Sequence, residues 1–343
     1  MRSLSDQKLD RLRSIAAHPD LTGTKYRLIR ELGHGGMGSV YLAEDTDLNR
    51  EIAIKVLNAT ADSDELARRM VREAQIIARL EHPGIVPVHD VGALADGRVF
   101  YAMKLVRGER FDEYAASVTS IKDRLRKFQA ACEAVSFAHA HGVIHRDLKP
   151  QNIMIGAFGE VMVLDWGVAK ILLNPPPSPT DSEAETLRRS PRPLGALPPA
   201  NVEDTTHGTV IGTAKYMAPE QERGEVEQLD ERSDVYSLGA ILYFLLTGQP
   251  PAAVKPRAAD PKVPKRAEAV CLKAMSASSA ARYASAADLA RDVARLLNDE
   301  PVSAYRESWL EKVGRWLSKN RVLVLIILAY LLMRIFFLFS ARR

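Results

Sequence analysis

Cysteine is nearly missing from this chain of 343 residues: there are two, Cys132 and Cys271. Two thiols so far apart, each in a helix-like apolar stretch, exclude a disulfide framework and a thiolate metal site, and they read as buried structural side chains. Glycine and proline, at 20 and 19 residues, are too few for a collagen. A hydrophobic share of 46% excludes wholesale disorder. No internal repeat is present. Residues 1–25 are polar and charged without a continuous apolar run, so no secretory signal is expected there. A strong charge bias is also lacking, because the net charge is +4. Residues 303–343 carry +6 on eight basic and two acidic side chains, which leaves −2 for residues 1–302. The positive charge belongs to the tail, which argues against a nucleic-acid partner for the globular part.

The length suits one large bilobal domain or two ordinary ones, with ample core. Residues 26–57 read as three strands (Tyr26–Leu32, Ser39–Glu44 and Glu51–Leu57), rich in β-branched or aromatic residues and bounded by Gly or Asp/Asn turns. Ser63–Leu80 reads as a helix, with Leu66, Met70, Ile77 and Leu80 on one stripe. Two further strands flank Asp96–Gly97, a dipeptide suited to a tight hairpin. After Gly108 the pattern is mainly helical: a stripe of Ile121, Leu125, Phe128, Cys132 and Val135, an almost wholly apolar Asp234–Leu246, then Ala267–Met275 and Ala286–Leu297. The fold class is therefore α+β, a small β-rich lobe followed by a larger helical one. Residues 171–208 hold eight prolines and too little apolar surface to offset chain entropy, so a disordered loop insert is expected.

Gly33-His34-Gly35-Gly36-Met37-Gly38-Ser39-Val40 fits a Gly-rich turn whose backbone N–H groups approach phosphate oxygens without a Cβ in the way. Alone it is equally a plain hairpin turn, and the strand that follows excludes a dinucleotide fingerprint. Strand alternation points Ala53 and Lys55 to one face beneath that turn. Glu73 falls on the apolar stripe between Met70 and Ile77, where a carboxylate is costly unless it bends out to solvent or is paired, and Lys55 is the partner expected. His145-Arg146-Asp147-Leu148-Lys149-Pro150-Gln151-Asn152 follows a helix end and precedes an apolar strand, Ile153–Ile155. A second short strand, Val161–Leu164, delivers Asp165-Trp166-Gly167. Two carboxylates and an Asn on neighbouring loops suit Mg²⁺, which takes oxygen ligands and keeps waters.

Taken in order, the Gly-rich turn, A-I-K, the helix Glu, HRDLKPQN, DWG, APE and DVYSLG resemble the eukaryotic-like (Hanks-type) serine/threonine protein kinases, in particular their membrane-anchored bacterial members. The resemblance covers roughly residues 26–298 and implies a bilobal fold with an N-lobe over 26–107 and a C-lobe over 108–298. It implies transfer of the γ-phosphoryl group of ATP to Ser or Thr hydroxyls with Mg²⁺. Gly33, Gly35, Gly36 and Gly38 would cover the phosphates, and Lys55, fixed by Glu73, would contact them. Asp147 would orient the substrate hydroxyl and accept its proton, Lys149 would neutralise the transferred group, and Asn152 with Asp165 would hold the metal. Val40, Ala53 and Met154 would sandwich adenine, with Met103 as gatekeeper and Lys104–Val106 as hinge. Ile77, Val88, His145 and Trp166 would stack between the lobes, Asp234 would brace the catalytic loop, and Glu220 would pair with Arg282.

Arg146 before the catalytic Asp implies control by loop phosphorylation, with Thr209 the best acceptor and Thr213 bonded to Asp147 and Lys149. Protein substrates and a homodimer that phosphorylates itself in trans are the partners this implies. A pseudokinase scaffold on the same fold is the alternative; it predicts a lost Lys, Asp or Asn, and none is lost. Pro251–Pro264 holds four prolines where the family places a substrate-docking helix, which the segment cannot form.

Beyond the lobes, an N-terminal helical extension is expected over 1–25. An amphipathic juxtamembrane helix is expected over 299–321, with Val302, Tyr305, Trp309, Val313, Trp316 and Leu317 on one face, lying on a membrane surface or, as the alternative, packing on the large lobe. Val322–Phe339 is eighteen residues with one charge, Arg334, and reaches about 27 Å as a helix, near the thickness of a bilayer core. A single-pass anchor in the cell membrane, with the kinase domain cytoplasmic, is the expectation, because four basic residues precede the run.

Overall fold

A computed structural model describes residues 19–35, 38–58, 63–166, 170–171, 213–225, 227 and 229–340; within these, side-chain surroundings are described except at 63–65, 170–171, 213–214, 314–315, 318–319, 321–323 and 335–340. The small lobe is built from β1 (Tyr26–His34), β2 (Gly38–Asp45) and β3 (Arg50–Leu57), followed by α1 (Ser63–Ala78), β4 (Val88–Ala93) and β5 (Val99–Lys104). The strands form one antiparallel sheet in the order β1-β2-β3-β5-β4. Strand β3 lies between β2 and β5, and its register sets Lys55 opposite both Val40 and Tyr101. Period-two alternation then places Ala53 against Met103 in the same stretch. One face of the sheet closes over Tyr26, Ile52, Ile54 and Phe100, and the other receives α1 through Leu57, Met70, Ala74 and Tyr101.

The second lobe opens with β6 (Gly108–Arg110) and α2 (Phe111–Ser117) and is organised around α3 (Ile121–Ala140). Ser120 caps α3 by accepting the Asp123 N–H at 3.3 Å, which satisfies a donor that the helix start leaves open. Short strands β7 (Val143–Ile144), β8 (Ile153–Gly156) and β9 (Val161–Val163) carry the intervening loops, and β10 (Lys170–Ile171) pairs with β7. Then come α4 (Pro219–Glu222), α5 (Glu231–Thr247), α6 (Pro256–Ala259), α7 (Lys265–Ala274) and α8 (Ala286–Leu297). Helix α5 is buried along almost its whole length, as its apolar sequence demands, and stops where Gly248 turns left-handed (φ 71°). Both cysteines are fully buried free thiols in this core.

Three expectations are revised. The Pro251–Pro264 segment does form helix, but a single turn (α6), started by Pro256 where a missing N–H costs nothing. Residues 19–25 carry no helix, and the rest of the expected N-terminal extension lies outside the described residues. The amphipathic helix begins later than its apolar spacing suggests, as α9 (Trp309–Lys319) capped by Ser308. Val302 is buried in the large-lobe core and Tyr305 packs against it. They are held there because the buried Asp292 carboxylate takes the backbone N–H and hydroxyl of Ser303 at 2.9 Å and 2.7 Å. Trp309, Val313, Trp316 and Leu317 remain exposed.

The apolar run after it forms α10 (Arg321–Ser340). Its side chains are described for 324–334, and among the described residues no helix is long and apolar enough to cross a membrane. Of the expected loop insert at 171–208, Ile171 is the end of β10, and 172–208 lie outside the described residues, as do Gly36, Gly167, Thr209 and the side chain of Thr213.

Candidate active site

Sheet register, one helix and two loops bring the charged residues together between the lobes. Lys55, near the end of β3, sends its ammonium to Glu73 on α1, 3.0 Å from Oε1 and 3.3 Å from Oε2. The same Nζ lies 2.9 Å from Asp165 Oδ1 on the loop after β9. Glu73 is 3% exposed and takes a further hydrogen bond from the Tyr101 hydroxyl at 2.8 Å, so its burial is fully compensated. Tyr101 was not singled out from the sequence; strand alternation was the signal, since in β5 it shares a face with Met103 and pairs directly with Lys55. Burial works against the Lys55 ammonium, but Tyr101, Asp165 and Glu73 outweigh it and raise its pKa well above the ordinary value. Burial likewise pushes Asp165 up, and Lys55 with weaker help from His145 and Lys149 reverses this to a net lowering, so it is a carboxylate.

The loop between β7 and β8 supplies the other half. Lys149 Nζ sits 2.8 Å from Asp147 Oδ2. Asn152 donates through Nδ2 to the Asp147 carbonyl at 2.8 Å and to its Oδ2 at 3.1 Å. Among the described residues nothing donates to Asn152 Oδ1, which leaves that oxygen, with the half-exposed Asp165 carboxylate (49%), for a cation. The donor set fits Mg²⁺: oxygen ligands, one of them anionic and open to water.

Asp234, buried at the start of α5, fixes this loop by its backbone. Its Oδ2 accepts the His145 N–H at 2.7 Å, its Oδ1 accepts the Arg146 N–H at 2.8 Å, and His139 Nε2 lies 2.8 Å from Oδ2. Burial drives the Asp234 carboxyl up, and His139, His145 and the backbone donors bring it below the ordinary carboxylate range. Gln221 adds a hydrogen bond to the Arg146 carbonyl at 2.9 Å. Arg146 and Asp165 both take positive φ, 70° and 59°. Neither is glycine, so each stores about 1–3 kcal/mol of strain that the Asp234 and Lys55 contacts must hold.

Trp166 fills the space behind Asp165. Its ring meets His145 at 4.6 Å, it belongs to the core cluster that contains Ile77, and Val88 packs on the same cluster. Its indole N–H reaches the Val163 carbonyl at 3.4 Å. On the opposite wall Val40, Met103 and Met154 are half-buried and Ala53 is buried, while Lys104 is exposed and Val106 half-buried beside them. In the Gly-rich turn, Gly35 N–H donates to the Gly38 carbonyl at 2.9 Å. A Cβ on Gly38 would lie 2.4 Å from the Val56 carbonyl oxygen, so glycine is required there, whereas Gly33 faces open space.

A model of the protein kinase domain matches residues 26–301. Among curated proteins, the chain is 35% identical to serine/threonine-protein kinase PknB of Mycobacterium tuberculosis, over 83% of this chain and 45% of that protein. It is 37% identical to serine/threonine-protein kinase PknD of Protochlamydia amoebophila, over 66% of this chain and 23% of that protein. The chain thus spans less than half the length of these curated relatives. Among solved structures, the Mycobacterium tuberculosis PknI kinase domain superposes with a TM-score of 0.57 at 28% identity, covering 79% of this chain and 96% of that one.

Proposed function

Because the chain belongs to the protein kinase domain family, in its Hanks-type serine/threonine branch, we propose that it transfers the γ-phosphoryl group of ATP to Ser or Thr hydroxyls with Mg²⁺. The observation that carries this reading is the linked set Glu73–Lys55–Asp165, with Lys149–Asp147–Asn152 on the neighbouring loop. It supplies two ammonium groups, three carboxylates and an amide oxygen, the charges and ligands that a magnesium–triphosphate group needs. In this reading Lys55 holds the α- and β-phosphates and Glu73 keeps it aimed. The backbone of the Gly33–Gly38 turn covers the phosphates, while Val40, Ala53 and Met154 enclose the adenine beside Met103 and the Lys104–Val106 backbone. Asp147 accepts a hydrogen bond from the substrate hydroxyl and takes its proton, and Lys149 moves from Asp147 to the transferred group. Mg²⁺ on Asn152 and Asp165 supplies positive charge to the phosphate oxygens.

Transfer of labelled phosphate from ATP to a protein acceptor, with and without Mg²⁺, tests the reading. Incorporation that requires Mg²⁺ is expected; no incorporation by the intact chain under any Mg²⁺ concentration would refute it. A scaffold without turnover has no supporting observation, since Lys55, Asp147, Asn152 and Asp165 are all present, with Lys55 paired to Asp165 and Asn152 bonded to Asp147.

Arg146, with its guanidinium pKa lowered by burial against the pull of Asp234, gains from a phosphate placed beside it. Phosphorylation of Thr209 by a second copy is the activation step this reading includes. From its sequence we also propose that the run Val322–Phe339, whose side chains are described only over 324–334, is a single membrane span with the lobes on the cytoplasmic side. Twenty helical residues reach about 30 Å, and the described apolar side chains Leu325–Leu328 and Tyr330–Met333 are exposed. Removing residues 322–343 is expected to shift the protein from the membrane fraction to the supernatant; unchanged fractionation would refute the span.

A further inference from the structure

The tip of the β1–β2 hairpin is tied to the end of β3 by three side chains that the reaction scheme above does not use. Asn58, the residue after β3, donates through Nδ2 to the Gly35 carbonyl at 3.1 Å. That bond fixes which end of the amide is the oxygen, so Oδ1 is an acceptor. The Ser39 hydroxyl lies 3.3 Å from Oδ1 and must therefore give it its single proton. His34 Nδ1 lies 2.7 Å from the same Ser39 oxygen, so it carries a proton and donates. Glu31 Oε1, 4.0 Å from Nδ1, favours the same assignment. The chain of donors runs one way: His34 Nδ1–H to Ser39 Oγ–H to Asn58 Oδ1, with Asn58 Nδ2–H to Gly35.

Both backbone groups of Gly35 are then engaged, its N–H on the Gly38 carbonyl and its carbonyl on Asn58. A glycine-rich turn is otherwise the most conformationally free part of a sheet, and ordering it on a ligand costs entropy. A carbonyl hydrogen-bonded to Asn58 is also not free to swing onto a phosphate oxygen, where it would repel the anion. We propose that Asn58 is a positioning residue for the nucleotide phosphates, fixing the backbone at Gly35 and Ser39 on the two sides of the Gly-rich turn. The inference rests on the reading of that turn as the phosphate cover.

Initial rates of the full chain across a range of MgATP concentrations test it, for wild type, Asn58→Ala, Asn58→Asp, Ser39→Ala and the Ser39→Ala/Asn58→Ala double variant. In Asn58→Ala the KM for ATP is expected to rise roughly five- to tenfold, the scale of one lost hydrogen bond, with a smaller change in kcat. Asn58→Asp raises KM further, because a carboxylate cannot donate to the Gly35 carbonyl and repels it. Ser39→Ala raises KM alone but adds little in the Asn58→Ala background, where the chain is already broken. An Asn58→Ala protein with the wild-type KM, or with a lowered melting temperature and an unchanged KM, overturns the proposal and leaves the kinase reading standing. A wild-type chain that neither binds nor turns over MgATP overturns that reading and the proposal with it.

Discussion

Asp147→Asn is expected to lower kcat for phosphoryl transfer about 10³-fold, within the range a positioned general base supplies, while the nucleotide still binds. The substitution keeps the shape of the side chain and leaves the Lys149 and Asn152 neighbours in place. It removes the oxygen that can take a proton from the substrate hydroxyl and sets an amide where an acceptor is needed. Asp147 contacts neither Lys55 nor Glu73, so the hold on the phosphates is not disturbed. Steady-state rates with a protein acceptor, beside nucleotide titration of the same variant, separate the two effects. A variant that keeps more than about a tenth of the wild-type rate would remove Asp147 from the proton-accepting role.

Arg282→Met is expected to cost roughly 3–5 kcal/mol of folding stability, because it strands a buried carboxylate. Arg282 reaches Glu220 through two guanidinium nitrogens at 2.6 Å and 2.7 Å, and Ser233 adds a third donor at 2.9 Å. The guanidinium also ties together the carbonyls of Ser276 and Arg232 and lies over the Tyr236 ring. Burial alone would push the Glu220 carboxyl up. Hydrogen bonds from Arg282, the backbone and Ser233, with the Arg282 charge, hold it instead at about 2, against 4.5 when free. A group whose folded value is depressed stabilises the fold above its unfolded value, and that contribution is lost as pH falls through the folded one. The wild type should therefore hold this contribution in full near neutral pH and lose it between about pH 4.5 and about pH 2. Urea denaturation of both proteins at about pH 7 and about pH 3 checks the sign: the gap between them narrows at the acid end. A gap that is constant with pH would show that the lost contacts matter and the charge pairing does not.

Much of this geometry is legible in the residues because each element carries its own signal. Alternation in β3 puts Lys55 under the Gly-rich turn, and a lone carboxylate on the α1 stripe calls for that same ammonium. The apolar run before Gly248 gives α5 as a buried helix, and Asp234, the carboxylate at the head of that run, had to find backbone donors. What was not legible depends on contacts far apart in sequence. The apolar spacing of Val302 and Tyr305 continues that of α9, and nothing local shows that Asp292 would pull the segment onto the large lobe. Positive φ at Arg146 and Asp165 has no glycine to announce it, since the strain is held by tertiary contacts. The Asn58 bridge was missed for a similar reason: Asn after a strand reads as a turn residue, and its two partners lie 19 and 23 positions away.

The central claim is that Lys55, Asp147, Asn152 and Asp165 serve one magnesium–nucleotide cleft. Determining the structure of this chain with Mg²⁺ and a non-hydrolysable ATP analogue tests it most directly. The account predicts the phosphates between Lys55 and the Gly33–Gly38 backbone, the metal on Asn152 and Asp165, and Asp147 facing the terminal phosphate. An analogue seated in another hollow, or a metal held without either ligand, would contradict it.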